Sequence, residues 1–216
     1  MNLRRHLTAL LLLLPLAASA VPYAATEQNA REFLPGRDYT VLATPLPTTT
    51  GDRIEVREFF FYGCSHCFDL ERHVTAWLQT KAADVELVRT PAMLNPKWAP
   101  LGRAYYVAEE LKVLEKIHAP LYNALHVGRE KLYEQGPIIS FFVRMGVPKE
   151  QTEAAWNSFA VTTKVRNADQ LARKYMVSGT PTLAVAGKYV VPASGDRTFA
   201  IVDFLVNKER AARGRK

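Results

Sequence analysis

The stretch Ile54-Glu55-Val56-Arg57-Glu58-Phe59-Phe60-Phe61-Tyr62-Gly63-Cys64-Ser65-His66-Cys67-Phe68 decides the fold. Ile54 to Tyr62 reads as a strand, Gly63 as a break, and a helical pattern starts at Cys64 and runs to about Lys81. Cys64 and Cys67 are the only cysteines in the chain. Two thiols three positions apart share one side of a helix. At a helix start, the Cys64 sulfur faces unpaired backbone N–H groups. Those groups and the helix dipole favour thiolate, the form that attacks in disulfide exchange. Cys67, one turn deeper, reads as the resolving thiol. The dipole contributes about 0.3–1 kcal/mol, less than one pKa unit. A strong oxidant therefore needs directed N–H···S bonds and a nearby cation, and His66 offers a cation or an N–H donor beside Cys64.

Other uses of two cysteines weigh less. A zinc site needs about four ligands, and there is no second Cys-x-x-Cys, although His66 and His73 are further donors. Haem attachment needs a histidine after the second cysteine, where Phe68 stands. A purely structural disulfide remains open, but so small a ring constrains the chain little.

Upstream, strand alternation places Glu58 on the face of Ile54, Val56 and Phe60. An acid on an apolar face is costly unless paired or protonated. Arg89 falls on the face of Val85 and Leu87 in the next strand pattern and is a candidate partner. The pair then tunes the thiols or relays a proton; the alternative is a solvated edge position. Downstream, Thr180-Pro181 opens the strand pattern of Thr182 to Ala186, where a proline is tolerated as a turn.

The rest of the chain fits around these elements. Tyr39 to Leu42 and Val85 to Thr90 read as strands. From about Pro96 to Arg166 the pattern is helical, with breaks at Pro120, Gly136-Pro137 and Gly146-Val147-Pro148. A long helix covers Val161 to Tyr175. Thr182 to Ala186 and Tyr189 to Val191 form a hairpin through Gly187-Lys188, and a last helix spans Thr198 to Asn207. Without the helical block, these elements can form one sheet with helices on both faces.

The 216 residues, 48% of them hydrophobic, suffice for a core without cross-links. Residues 1–20 read as a cleaved signal peptide: Arg4 and Arg5, an apolar run from Leu7 to Leu16, and Ala18-Ser19-Ala20. Export makes an oxidised pair the expected state. The net charge is +7, and several of those charges lie in a basic tail over residues 209–216. That tail reads as a frayed, solvated terminus. No interleaved aromatic and basic surface accompanies it, so nucleic acid is not an expected partner. His73, His118 and His126 read as surface or packing residues, and the aromatics of the helical block as core. Tyr62 and Met176 are candidates for lining a peptide groove.

With these elements in place, the chain resembles the DsbA family of bacterial periplasmic thiol–disulfide oxidoreductases. The resemblance rests on the signal peptide, Glu58 before the aromatic run, Cys64-Ser65-His66-Cys67, the helical block and Gly179-Thr180-Pro181. It implies an α/β, thioredoxin-like fold with an inserted helical domain: residues 21–96 and 165–208 for the discontinuous thioredoxin-like part, 97–164 for the insertion. It further implies Cys64 as nucleophile, Cys67 as resolving thiol, and Ser65 and His66 as the dipeptide that sets redox poise. Glu58 becomes the buried acid, Arg89 its basic neighbour, and Thr180-Pro181 a cis-proline loop against the disulfide. Well-studied members carry proline and valine where Ser65 and Thr180 stand. The implied activity is donation of the Cys64–Cys67 disulfide to unfolded exported proteins in the periplasm, with no other cofactor. A quinone-linked membrane oxidase, DsbB, would regenerate the disulfide, and the protein would be a monomer. The alternatives are an isomerase or reductase on the same scaffold, or a binding or chaperone-like module with an inert disulfide.

Overall fold

The computed structural model describes residues 33–193, 195 and 197–214. The signal-peptide reading of residues 1–20 lies outside them, as do Arg215 and Lys216 of the tail. The chain begins with β1 (Thr40–Val41), β2 (Ile54–Phe60), α1 (Ser65–Thr80) and β3 (Val85–Pro91). A 3-10 turn at Pro96–Trp98 leads into α2 (Ala99–Glu110), α3 (Leu114–His126), α4 (Gln135–Arg144), α5 (Lys149–Trp156) and α6 (Phe159–Lys174). β4 (Thr182–Val185), β5 (Tyr189–Pro192) and α7 (Arg197–Arg213) close it. This is the expected α/β order, a thioredoxin-like fold with an inserted helical block.

The five strands form one mixed sheet in the order β1-β5-β4-β2-β3. β2 runs parallel to β3 and antiparallel to β4, so Glu58 has Arg89 on one side in register and Leu183 on the other. Ile54, Val56, Leu183 and Val185 pack on one face with Leu70, Val74 and Trp77 of α1 and Val202 and Leu205 of α7. Phe59 and Ala184 pack on the opposite face with Ala172 of α6 and Tyr175. Every β2 side chain is therefore buried. Glu55 and Arg57, on the face away from Glu58, are buried as an ion pair at 2.8 Å. Thr49 and Thr90 complete its hydrogen bonds.

The remaining helices build a second apolar cluster on the first. Leu101, Ile117, Leu121, Ile138 and Phe142 pack with Phe60, Tyr62 and Cys67, so the helical block rests directly on the cysteine end of the sheet. Pro120 does not break α3; the helix runs through it. The lost backbone bond is outweighed by the buried stripe of Ile117, Leu121 and Leu125. Gly146, at φ +75°, does separate α4 from α5. Phe159, the first residue of α6, is 81% exposed and is not core.

The hairpin between β4 and β5 turns at Ala186 and Gly187, both with positive φ, the pattern of a tight type I′ turn. The Gly187 carbonyl accepts from the Leu46 backbone N–H at 2.8 Å. A Cβ on Gly187 would sit 2.1 Å from the Leu46 carbonyl oxygen, so no other residue fits without moving backbone.

The reading of residues 209–216 as a solvated tail is corrected: α7 continues to Arg213. Glu209 is buried and pairs with Lys188 at 2.7 Å and with Arg213 at 3.1 Å. Arg210 pairs with Asp84 at 2.7 Å. The basic residues there anchor the helix end to the sheet. Among the described residues, no helix is long and apolar enough to cross a membrane.

Candidate active site

β2 delivers the chain to Gly63, and Cys64 takes the N-cap position of α1 in extended conformation. Its backbone N–H bonds the Phe61 carbonyl at 3.0 Å, and its carbonyl accepts from Phe68 N–H at 3.1 Å. Both cysteines are free thiols; Cys64 is partly exposed and Cys67 fully buried. Their acidities diverge for reasons visible in the geometry. A hydrogen bond from the Cys67 thiol, assisted by the Thr180 side chain and the backbone N–H groups of Cys67 and His66, lowers Cys64 to about 5. Burial, together with the hydrogen bond to Cys64, pushes Cys67 far up. One sulfur is thus held as a nucleophilic anion and leaving group, and its neighbour is held as a thiol.

His66 contributes to this through its backbone N–H. Its imidazole is exposed and lines a cavity of about 510 Å³ with Asp69, Arg72, His73, Thr180 and Pro181. Ser65, the first residue of α1, is also exposed.

The Thr180–Pro181 peptide is cis. The Cys64 thiol donates to the Thr180 carbonyl at 3.3 Å, and Thr182 Oγ1 closes the loop by donating to the Gly179 carbonyl at 2.8 Å. A second cavity of about 280 Å³, bounded by Met176, Val177, Val190 and Pro192, lies against the same Thr180 and Pro181. The groove expectation divides accordingly. Met176 is 63% exposed and borders that cavity, whereas Tyr62 is buried in the core beneath the cysteines.

Glu58 has no exposed surface, which rules out the solvated-edge alternative. Arg89 Nε lies 3.3 Å from its Oε2. Burial raises Glu58 to about 7 against the pull of the Arg89 charge, and the Glu71 charge pushes the same way. Arg89 also pairs with Glu71 of α1 at 3.1 Å.

The sequence reading did not single out Glu71 of α1, nor the roles of two histidines. His118, read as surface or packing, is buried, with Nδ1 2.8 Å from Tyr62 Oη and Nε2 3.3 Å from Glu71 Oε1. His126 Nε2 donates to the Tyr62 carbonyl at 2.7 Å, and its ring stacks on Phe68. Both sit on α3, so no local spacing links them to the cysteines. Among the described residues there is no group of three or more His, Cys, Asp and Glu side chains placed to hold a metal ion.

A low-pKa thiol at a helix start, a buried partner and a proline loop on the sulfur define a thiol:disulfide oxidoreductase on the thioredoxin fold. Residues 82–203 match the DSBA-like thioredoxin domain. The chain is 35% identical to the thiol:disulfide interchange protein DsbA of Pseudomonas aeruginosa over 188 residues, 85% of this chain and 89% of that protein. The chain belongs to the DsbA family. It is also 34% identical to the DsbA of Pseudomonas syringae, covering 88% of this chain and 91% of that protein. The crystal structure of Pseudomonas aeruginosa DsbA superposes with a TM-score of 0.80 at 33% identity, covering 84% of this chain and 97% of that one. The family works with a redox-active cysteine pair, and Cys64 and Cys67 are the only cysteines in this chain.

Proposed function

We propose that the protein donates its Cys64–Cys67 disulfide to exported proteins folding in the periplasm. A substrate thiolate attacks Cys64 Sγ, and the Cys64–Cys67 bond breaks. Cys67 leaves with the electron pair and takes up a proton. A second substrate thiolate then attacks the substrate sulfur of the mixed disulfide. The substrate disulfide forms, and Cys64 leaves as thiolate. Two electrons pass to the protein.

The observation that carries this direction is the hydrogen bonding of the Cys64 sulfur, which lowers its pKa to about 5. Stabilising the thiolate stabilises the reduced form, and a stabilised reduced form makes an oxidising disulfide. In this reading Cys64 and Cys67 are the catalytic pair. Ser65 and His66 shape the helix start, the Thr180–Pro181 loop receives an extended peptide by backbone pairing, and Glu58 exchanges a proton with Cys67. Residues 97–164 act as the inserted helical domain over the site. Residues 1–20 direct export, and a DsbB-like quinone-linked membrane oxidase reoxidises the monomeric enzyme. Redox titration against glutathione is the test. An equilibrium lying toward reduced protein in mildly oxidising buffer supports donation, and a potential near that of thioredoxin overturns it.

A further inference from the structure

Arg89 stands between two carboxylates, Glu58 at 3.3 Å and Glu71 at 3.1 Å. Glu71 in turn meets His118 Nε2 at 3.3 Å. The four side chains come from β2, β3, α1 and α3, and none is more than 20% exposed. Two acids face one fixed cation, because a guanidinium does not give up its proton. One negative charge is therefore left over in a buried place, where it is expensive. A single proton removes it; His118 and Arg89 hold Glu71 below its ordinary value against its burial, which leaves Glu58 and His118 as the places to put that proton.

We propose that His118 is a positioning residue of the redox site, sharing one proton with Glu58 by electrostatic coupling through Glu71 and Arg89. This rests on Glu58 serving as the proton partner of Cys67. The imidazole geometry suits a residue that switches. In the neutral ring, Nε2–H donates to Glu71 while Nδ1 accepts from Tyr62 Oη; protonation keeps both contacts, with Nδ1–H donating to the same phenol oxygen. When His118 is charged, it satisfies Glu71, and the full Arg89 charge is free to hold Glu58 as carboxylate. When His118 is neutral, Arg89 is divided between two acids, and Glu58 keeps the proton.

The other groups facing the ring are Phe60 of β2, Tyr105 of α2 and Tyr122 of its own helix, whose rings lie 5.3–6.2 Å from it. The phenols among them are held neutral by burial. They leave Glu71 and Arg89 as the charges His118 feels. Burial draws His118 below its ordinary value, against the bond to Glu71, while burial raises Glu58 to about 7. Burial thus moves the two proton sites in opposite directions, up for the acid and down for the imidazole, each toward its uncharged form.

In the cycle, Cys67 takes its proton from Glu58 while His118 is neutral; the cluster then takes one proton back from water, at His118 first, and it returns to Glu58. His118 lies nearer solvent than Glu58, with 12% of its side chain exposed against none. It is the end of the cluster that can exchange with water.

The test uses the reduced full-length protein and the variants His118→Gln and Glu58→Gln. Both keep a hydrogen-bonding side chain of similar size and remove the titration. Carboxyl and imidazole signals are followed by NMR across pH. Coupling between the two protonations is reciprocal, so a change at either site must be felt at the other. The expected result is Glu58 shifted up by about one unit in H118Q, roughly a tenfold change in its proton equilibrium, and His118 shifted down in E58Q. The pH profile of Cys64 alkylation in H118Q should move with Glu58. Two folded variants with no shift, or a shift in one direction only, overturn the proposal. A reducing potential for the cysteine pair would overturn the donor reading instead and leave this coupling standing.

Discussion

Cys64 and Thr180, 116 residues apart in sequence, are joined in space: the protonated Cys64 sulfur donates to the Thr180 carbonyl at 3.3 Å, and the ionised sulfur is stabilised by the Thr180 side chain. Thr180→Val keeps the carbonyl and removes the hydroxyl. A hydrogen bond to a charged group contributes about 1.5–3 kcal/mol, so the Cys64 pKa should rise by about one unit or more. The disulfide should become a weaker oxidant to match. Thiolate absorbance against pH measures the first effect, and an unchanged titration curve would show that the hydroxyl does not matter.

The asymmetry of the two sulfurs has its own readout. In the reduced protein, Cys64 should be alkylated at mildly acidic pH while Cys67 stays unmodified. Mass spectrometry of the modified peptide separates them. Equal labelling of both sulfurs in the folded state would contradict the burial and hydrogen bonding described.

The same thiolate ties redox state to stability. The Cys64 pKa is lowered to about 5 in the fold from about 8.5 when unfolded. Its contribution is present above the unfolded value and lost as pH falls through the folded one. The reduced form should therefore melt above the oxidised form at pH 7–8, with the gap closing toward pH 5. Melting both forms across that range checks it. A gap that widens on acidification would run against the mechanism.

Glu58 carries the opposite sign. Its folded pKa is raised to about 7 from about 4.3 unfolded. Its stabilising effect is full below the unfolded value and is lost as pH rises through the folded one. Glu58→Gln should abolish that loss, with a relative gain of about 3 kcal/mol by pH 8. Urea midpoints of the two proteins at pH 5 and pH 8 isolate the difference; parallel curves would refute it.

Gly187→Ala should cost about 3 kcal/mol or more. The new methyl would meet the Leu46 carbonyl at 2.1 Å, in a turn already at positive φ. An unchanged denaturation midpoint would mean that the loop carrying Leu46 is free to yield.

The parts of this architecture that were readable from sequence are those encoded locally. The strand into Gly63, the helix out of Cys64 and the hairpin at Gly187 follow from neighbours in the chain. Glu58 and Arg89 could be matched because parallel strands in register place them side by side. The burial of Glu55 and Arg57 was not legible, because alternation assigns a face but does not say that α6 will cover it. His118 was invisible for a related reason. Its partners Tyr62 and Glu71 lie 56 and 47 residues away, and only the packing of α3 on α1 brings them together. The end of α7 was misread because the cations that suggest a solvated tail are neutralised by Glu209 and Asp84.

The span between Cys64 and Thr180 bears on how the enzyme comes into being. The chain is made from its N-terminus, so both cysteines emerge well before the loop that completes their environment. Until β4 is laid beside β2, Cys64 lacks its Thr180 contacts. A chain without that loop lacks the Thr180 share of the thiolate's stabilisation, so full reactivity arrives as a late product of folding. Chains released short of residue 180 should carry a less acidic Cys64 and be weaker donors, a check on unfinished oxidant.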